Sequence, residues 1–197
     1  AYGALDPASR LAGRVAQAIF GNGSLEKVSV ATLSRLADPD DADGDGISGR
    51  INRIKLSMGG TAVGRFGWKA SVADVRTQTA SAFSGDIGLS TPDEPAPYGD
   101  CTTAQTVCRE APDGVQASLG PVEAPDPVLD LVTYYSRNVA VPPRRDIDDP
   151  QVLAGKALFY GFGCADCHRP KYVTSRNAPQ PEHRFQLIWP YTDLLLH

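Results

Sequence analysis

The segment Cys164-Ala-Asp-Cys-His168 constrains this chain more than any other part of the sequence. Two cysteines three positions apart, followed directly by a histidine, are typical of covalent haem attachment. The thiols of Cys164 and Cys167 would add to the two vinyl groups of one porphyrin, and the imidazole of His168 would bind the iron. The alternatives are half of a zinc site, which needs two further ligands, and a dithiol redox pair, which needs a strand–helix–strand context.

A second pair of cysteines, Cys101 and Cys108, lies in a stretch rich in proline and glycine. Their spacing suits a short disulfide, which would stabilise the fold by roughly 2–3 kcal/mol in the chain-entropy view. Two free buried thiols are the alternative. Haem attachment of this kind and disulfides both belong to oxidising compartments, so the two pairs together predict a periplasmic or extracellular protein.

The composition is that of a globular protein, with 42% hydrophobic and 21% charged residues among 197. The net charge of −4 argues against nucleic acid as a partner. No apolar run approaches the length of a membrane span. No signal peptide is visible either, so we expect that it has been removed or that the chain is a fragment.

Helix signals dominate the sequence and predict a mainly α protein. N-cap and proline signals open helices at Asp6-Pro7, Ser29, Ser71, Asp126-Pro127 and Asp149-Pro150. The first of these would run to Gly21. Residues 86–125 and 169–190 lack periodicity, and irregular segments of this length are usually functional or wrapped around something. A haem would explain both segments.

An acidic loop, Asp41-Ala-Asp-Gly-Asp-Gly-Ile47, resembles the first half of a calcium-binding loop. Asp41, Asp43, Asp45 and the carbonyl of Ile47 would be the ligands. The twelfth position is Asn52 rather than a bidentate glutamate, so the ligand set is incomplete. An Asp/Gly turn satisfied by its own backbone hydrogen bonds is an equally good interpretation.

Two residues of the segment Gly64-Arg-Phe-Gly-Trp-Lys69 are candidates for contact with a haem. The planar guanidinium of Arg65 could pair with a propionate carboxylate. Trp68 could lie against the porphyrin or between two redox centres. The alternative is an aromatic core cluster with a surface arginine.

The sixth iron ligand decides between functions, because a methionine or histidine suits electron transfer whereas an open position suits peroxide chemistry. His197 is the leading candidate for the sixth ligand or for a distal residue, and Met58 is its rival. The other candidates are His183, Tyr172 and Tyr191.

Five segments in a fixed order resemble the di-haem oxidoreductase family of peroxidase-like proteins, which is similar to bacterial di-haem cytochrome c peroxidases. The segments are Ala42-Asp-Gly-Asp-Gly-Ile-Ser-Gly-Arg-Ile-Asn52, Gly64-Arg-Phe-Gly-Trp-Lys-Ala70, Ala82-Phe-Ser-Gly-Asp-Ile-Gly-Leu-Ser-Thr91, Cys164-Ala-Asp-Cys-His168 and Tyr191-Thr-Asp-Leu-Leu-Leu-His197. The resemblance runs through nearly the whole chain.

Members of that family carry two haem motifs in two cytochrome-c-like domains, whereas this sequence has one motif. The resemblance therefore implies a missing second haem domain, a linking region over residues 1–145, and the start of a cytochrome-c-like haem domain over residues 146–197. It implies a peroxidase-like oxidoreductase that receives electrons from a donor protein or a small redox partner. A non-catalytic electron-transfer cytochrome is the alternative, and a calcium-stabilised interaction module with a vestigial haem is a third.

Overall fold

The computed structural model describes residue 8 and residues 10–56 and 59–197. Helices and irregular segments make up most of this part of the chain, with four short strands among them. The helices are α1 (Asn22–Glu26), α2 (Val30–Leu36), α3 (Val75–Ile87), α4 (Thr106–Arg109), α5 (Asp126–Asn138), α6 (Pro150–Gly161) and α7 (Cys164–Cys167), with a short 3₁₀ helix at Pro181–His183. The mainly α prediction is thus confirmed.

The strands form two antiparallel hairpins. Strand β1 (Arg53–Lys55) pairs with β2 (Thr61–Val63), with Ile54 opposite Ala62. Strand β3 (Tyr172–Val173) pairs with β4 (Leu187–Ile188), within the segment that the sequence left without periodicity. A cytochrome-c-like arrangement of these elements stays a prediction.

The chain divides into two compact units. The first unit comprises Ala1–Ile19 and Arg76–Tyr135, and the second comprises Phe20–Val75 and Ser136–His197. The attachment motif and the acidic loop both belong to the second unit. The expected division of function at residues 145/146 is a separate matter and stays a prediction.

Local signals place the starts of α2, α5 and α6 correctly, whereas α3 begins at Val75 rather than directly after the predicted cap at Ser71. The hydroxyl of Ser29 accepts a hydrogen bond from the backbone N–H of Thr32 at 3.0 Å and caps α2. The carboxylate of Asp149 caps α6 in the same way, 2.7 Å from the backbone N of Gln151, with Pro150 in the first turn. Both helices were predicted from these residues.

The helix expected from Asp6 to Gly21 is wrong over its described part, since residues 10–19 are irregular. Leu11 and Val15, which carry the predicted apolar stripe, are 82% and 83% exposed. Short helices depend on packing of their apolar face. The stripe buries nothing here, and the periodicity alone does not make a helix.

A small hydrophobic core organises the second unit. Val28, Leu33, Val63, Tyr172 and Leu194 form one buried cluster. It joins the region of α1 and α2, the end of the first hairpin, the start of the second hairpin and the tail segment, by which we mean residues 191–197. The tail segment is thereby packed against the region that carries the acidic loop.

A half-buried ion pair stabilises the same unit. The carboxylate of Glu26 accepts hydrogen bonds from Nε and Nη2 of Arg137, both at 3.1 Å, and from Nζ of Lys27 at 2.7 Å. The backbone N–H of Val75 donates to it at 3.2 Å. Burial raises the pKa of Glu26, but the hydrogen bonds outweigh burial and the pKa is lowered overall.

The first unit is organised by polar contacts. Arg76 forms salt bridges to Asp93, Asp126 and Asp130. The carboxylate of Glu123 accepts hydrogen bonds from the backbone N–H groups of Ser90 and Gly114, at 2.8 and 2.7 Å.

Glu123 lies in the long segment 86–125, which the sequence correctly left largely irregular. Its carboxylate replaces part of the backbone hydrogen bonding that secondary structure would supply.

The sulfur atoms of Cys101 and Cys108 lie within bonding distance of each other, and their Cα atoms are 6.2 Å apart. The predicted pairing is therefore borne out by the geometry. Arg109 spans the same loop, with Nη2 3.0 Å from the hydroxyl of Tyr98. None of the helices in the described part of the chain is long and apolar enough to cross a membrane.

Replacing Glu26 with glutamine should lower the free energy of unfolding at pH 7 by roughly 1.5–3 kcal/mol, because hydrogen bonds to a charged group are lost. The folded-state pKa is lowered, so this stabilisation is fully present above the ordinary value of 4.5 and is lost as the pH falls below it. Urea unfolding at pH 7 and at lower pH should show the difference shrinking with acidification. The exposed Glu110→Gln variant is the control, and a gap that does not narrow would contradict the assignment.

Candidate functional site

The attachment motif forms a helical turn of its own. Helix α7 spans Cys164 to Cys167, and Gly163 precedes it with a left-handed backbone, φ 74°. Glycine adopts this conformation without strain, so the chain can turn sharply from α6 into α7. Residues three apart on a helix face the same side, which places both sulfurs together. Neither thiol is in a disulfide; Cys164 is exposed and Cys167 is half-buried.

His168 caps the end of α7 and its ring is oriented by the tail segment. Nδ1 of His168 lies 3.2 Å from the backbone carbonyl oxygen of Tyr191. A carbonyl can only accept, so Nδ1 is the donor and carries the ring proton. The lone pair of Nε2 is left available, which is the state in which histidine binds a metal.

Further contacts hold the tail segment against the motif. The backbone N–H of Asp193 donates to the carbonyl of Cys167 at 3.1 Å. The hydroxyl of Tyr172 donates to the carbonyl of Thr192 at 3.0 Å, so this buried tyrosine is engaged in the core. Arg50 and Leu196 exchange backbone hydrogen bonds of 2.9 and 2.8 Å. The tail segment therefore connects the motif to the region that follows the acidic loop.

The surroundings of Cys167 do not favour a reactive thiolate. Burial raises the pKa of this thiol, and the carboxylates of Asp193, Asp166 and Asp45 raise it further. Zinc binding and thiol–disulfide exchange both use the thiolate. Among the described residues, the group of metal-ligating side chains that come together is the aspartates of the acidic loop, not a set around the thiols. The environment of Cys167 therefore gives no support to a zinc site or a dithiol redox pair at the motif.

Apolar side chains next to the motif are exposed to an unusual degree. Every residue of α6 is exposed or half-buried. Leu158 is 55% exposed and Phe162 is 77% exposed, while Trp189, before the tail segment, is 50% exposed. Large apolar side chains that are exposed near the motif are candidates for contact with a bound apolar group. A porphyrin is a large apolar disc, and the two thiols, the free Nε2 and the apolar surface together fit it.

Arg144 is a residue that the sequence did not single out. Its Nη2 donates to the hydroxyl of Tyr191 at 2.8 Å. Its guanidinium lies 5.4 Å from the ring centroids of both Trp189 and Tyr191. These partners are far away in sequence, and the only local signal is the preceding Pro142-Pro143, which indicates a rigid, extended approach.

The two candidates in the segment 64–69 differ in their surroundings. Arg65 is half-buried, and its Nη1 is buried without a hydrogen-bond partner among the described residues. Burial lowers the pKa of this guanidinium, and the charge of Glu26 opposes the effect. An unsatisfied buried donor suits an anionic partner such as a propionate. Trp68 is 57% exposed, which does not place it in an aromatic core.

The candidate sixth ligands also differ in their surroundings. Nε2 of His197 lies 2.6 Å from Oδ2 of the buried Asp193, so this imidazole is available to a ligand through Nδ1 alone. The Asp193–His197 spacing of four residues is a signal that the sequence analysis missed. His183 is buried, with Nδ1 3.2 Å from the hydroxyl of Ser24. Met58 lies outside the described residues.

The acidic loop brings its three carboxylates together. Oxygen atoms of Asp41, Asp43 and Asp45 lie within 4.8 Å of one another. Each carboxylate also accepts a backbone N–H of the loop: Asp41 from Gly46, Asp43 from Asp45 and Asp45 from Ile47, at 3.0, 3.2 and 2.8 Å. Both interpretations of this loop, a cation site and a self-satisfied turn, therefore stay open.

A family model described as "Di-haem oxidoreductase, putative peroxidase" matches residues 4–197. The chain belongs to the di-haem oxidoreductase family. The expected resemblance is thereby confirmed over nearly the whole sequence. No curated protein and no solved structure matches the chain significantly. Membership of this family implies haem binding, and the attachment motif is the place in the chain whose donor set fits a haem.

Proposed function

We propose that this protein is a c-type haem oxidoreductase with peroxidase-like chemistry, and that its haem is attached through Cys164 and Cys167. His168 binds the iron through Nε2. The observation that carries the proposal is the hydrogen bond from Nδ1 of His168 to the carbonyl of Tyr191, because it fixes the tautomer that a ligand histidine requires. Family membership supports the oxidoreductase class.

The residues of the chain bind, orient and shield in this proposal. A bound haem supplies the redox chemistry of iron, including the reaction with peroxide. The two thiols of α7 anchor it, and the exposed apolar side chains of Leu158 and Phe162 cover it and exclude water. Nη1 of Arg65, which has no hydrogen-bond partner among the described residues, is the donor that we assign to a haem propionate.

The pair formed by His197 and Asp193 is the proposed proton-handling group. The carboxylate of Asp193 is buried and lies 2.6 Å from Nε2 of His197, so a proton can be held between these two atoms. The backbone N–H of Asp193 donates a hydrogen bond to the carbonyl of Cys167, so the Asp193–His197 pair lies close to the motif. In the proposal, His197 is kept as the distal residue or sixth ligand, with Asp193 as its proton partner.

The proposal includes an oxidising compartment, the periplasm or the outside of the cell, and an electron donor that is a protein or a small redox molecule. The pair Cys101 and Cys108 at bonding distance supports the compartment, because structural disulfides persist where thiols are not kept reduced. A second haem domain in the same protein is also part of the proposal, and the description of the family as di-haem supports it.

Covalent attachment has a direct test in a host that matures c-type cytochromes. The wild-type protein should retain a haem through acid–acetone extraction, and its pyridine haemochrome spectrum should be that of a haem with both vinyl groups saturated. The double variant Cys164→Ala/Cys167→Ala should lose the haem to extraction. The matched control Cys101→Ala/Cys108→Ala removes two thiols elsewhere and should retain it. Equal retention by both double variants would refute attachment at the motif.

The role of His197 is tested by the iron spin state and the reaction with hydrogen peroxide. If His197 is the sixth ligand, His197→Ala should convert a low-spin ferric iron to high spin. If it is a distal residue, the spin state should stay high and the rate with peroxide should fall by about 10²–10⁴-fold.

The control for His197 is His183→Ala, whose ring lies 3.2 Å from the hydroxyl of Ser24 through Nδ1. If the iron is low-spin and inert towards peroxide, and neither substitution changes this, the protein is an electron-transfer cytochrome rather than an enzyme.

Calcium at Asp41, Asp43, Asp45 and the Ile47 carbonyl stays a prediction. Adding calcium to chelator-treated protein should raise the unfolding temperature of the wild type and not that of Asp43→Asn, because the bound ion stabilises the folded state. The exposed Asp113→Asn variant is the charge-matched control. If calcium does not change the unfolding temperature of the wild type, the acidic loop is a turn satisfied by its own hydrogen bonds and not a calcium site.

A further inference from the structure

The turn at Tyr191 is held in an unfavourable backbone conformation. Tyr191 has φ 53°, in the left-handed region that residues with a side chain avoid. This conformation directs its carbonyl oxygen to Nδ1 of His168. Strain of this kind persists only where the surroundings determine the conformation, and it concentrates at functional sites.

Two side chains hold the ring of Tyr191. Phe159, in α6, packs edge-on against it with ring centroids 5.5 Å apart and planes at 81°. Arg144 donates to its hydroxyl at 2.8 Å and lies over the rings of Tyr191 and Trp189. The ring is therefore held by contacts at its edge and at its hydroxyl. The two residues that follow, Thr192 and Asp193, are hydrogen-bonded to Tyr172 and Cys167.

We propose that Tyr191 is a positioning residue for His168, and that Arg144 and Phe159 act through it by fixing the carbonyl that receives the Nδ1 proton. We call Arg144, Phe159 and Tyr191 the clamp. The inference rests on the proposed function, because it assigns the clamp a role at the haem ligand. It goes further by giving the reduction potential a determinant outside the attachment motif.

The physical link runs through the basicity of the imidazole. A firm hydrogen bond from Nδ1–H to the Tyr191 carbonyl makes Nε2 a stronger electron donor to a bound metal. A stronger donor stabilises the ferric state over the ferrous state. The clamp therefore holds the potential low, and loosening the clamp raises it.

The clamp can be loosened without touching a ligand. Arg144→Gln replaces the guanidinium with a shorter, uncharged side chain and so withdraws the charged donor from the Tyr191 hydroxyl. Tyr191→Phe removes the hydroxyl but keeps the ring on Phe159. Arg145→Gln is the matched control, because it removes the same charge from the neighbouring exposed position. Both Arg144 and Arg145 are exposed, so these variants are expected to fold.

The first measurement is a redox titration of the haem-loaded protein and its variants. Arg144→Gln and Tyr191→Phe should each shift the midpoint potential upward relative to Arg145→Gln. The double variant Arg144→Gln/Tyr191→Phe should shift it no further than one single variant, because both changes remove the same hydrogen bond.

The second measurement is the proton NMR signal of the His168 Nδ1–H, followed on transfer of the protein to D₂O. Exchange of this proton should be several-fold faster in Arg144→Gln and Tyr191→Phe than in Arg145→Gln. A purely structural role would move neither the exchange rate nor the potential selectively.

The outcomes separate this inference from the function on which it rests. The role of the clamp is refuted if the haem-loaded variants Arg144→Gln, Tyr191→Phe and Arg145→Gln all have the same midpoint potential and the same exchange rate. The proposed function is unaffected by that result. A wild-type protein that carries no covalent haem overturns the proposed function itself, and the haem assay that precedes both measurements shows this first.

Discussion

The hydrogen bond between Nδ1 of His168 and the carbonyl of Tyr191 connects the attachment motif to a segment more than twenty residues further along the chain. It fixes the tautomer and the direction of the imidazole, and both are needed before Nε2 can bind a metal. The neighbouring hydrogen bond from the backbone N–H of Asp193 to the carbonyl of Cys167 holds the same C-terminal end of α7. The tail segment thus prepares the motif, while Leu194 anchors that segment in the core.

Around the motif, the second unit combines features that would be costly in a chain that binds nothing. Helix α6 leaves apolar side chains such as Leu158 in solvent, and Arg65 buries a donor without a partner among the described residues. A haem would cover the apolar surface, and a propionate would satisfy the donor. Burial and nearby carboxylates raise the pKa of Cys167, which disfavours the thiolate that zinc binding or thiol–disulfide exchange would use.

Features encoded by short stretches of sequence could be predicted, and features that depend on distant contacts could not. The attachment motif and the caps at Ser29 and Asp149 are local signals, and α2 and α6 begin where those caps predict. Residues 10–19 carry a helical periodicity but find no surface to pack on, so no helix forms. The contact between Arg144 and Tyr191 spans 47 positions and has no local signal, so it could not be predicted from the sequence.

Peptide mapping of the mature protein by mass spectrometry tests the central claim most directly. Trypsin should release the segment 157–171 as one peptide, because the bond between Arg169 and Pro170 resists cleavage. The account predicts that this peptide carries one haem and that its two thiols resist alkylation. Recovery of the peptide without the mass of a haem, and with Cys164 and Cys167 both alkylated, would contradict the account.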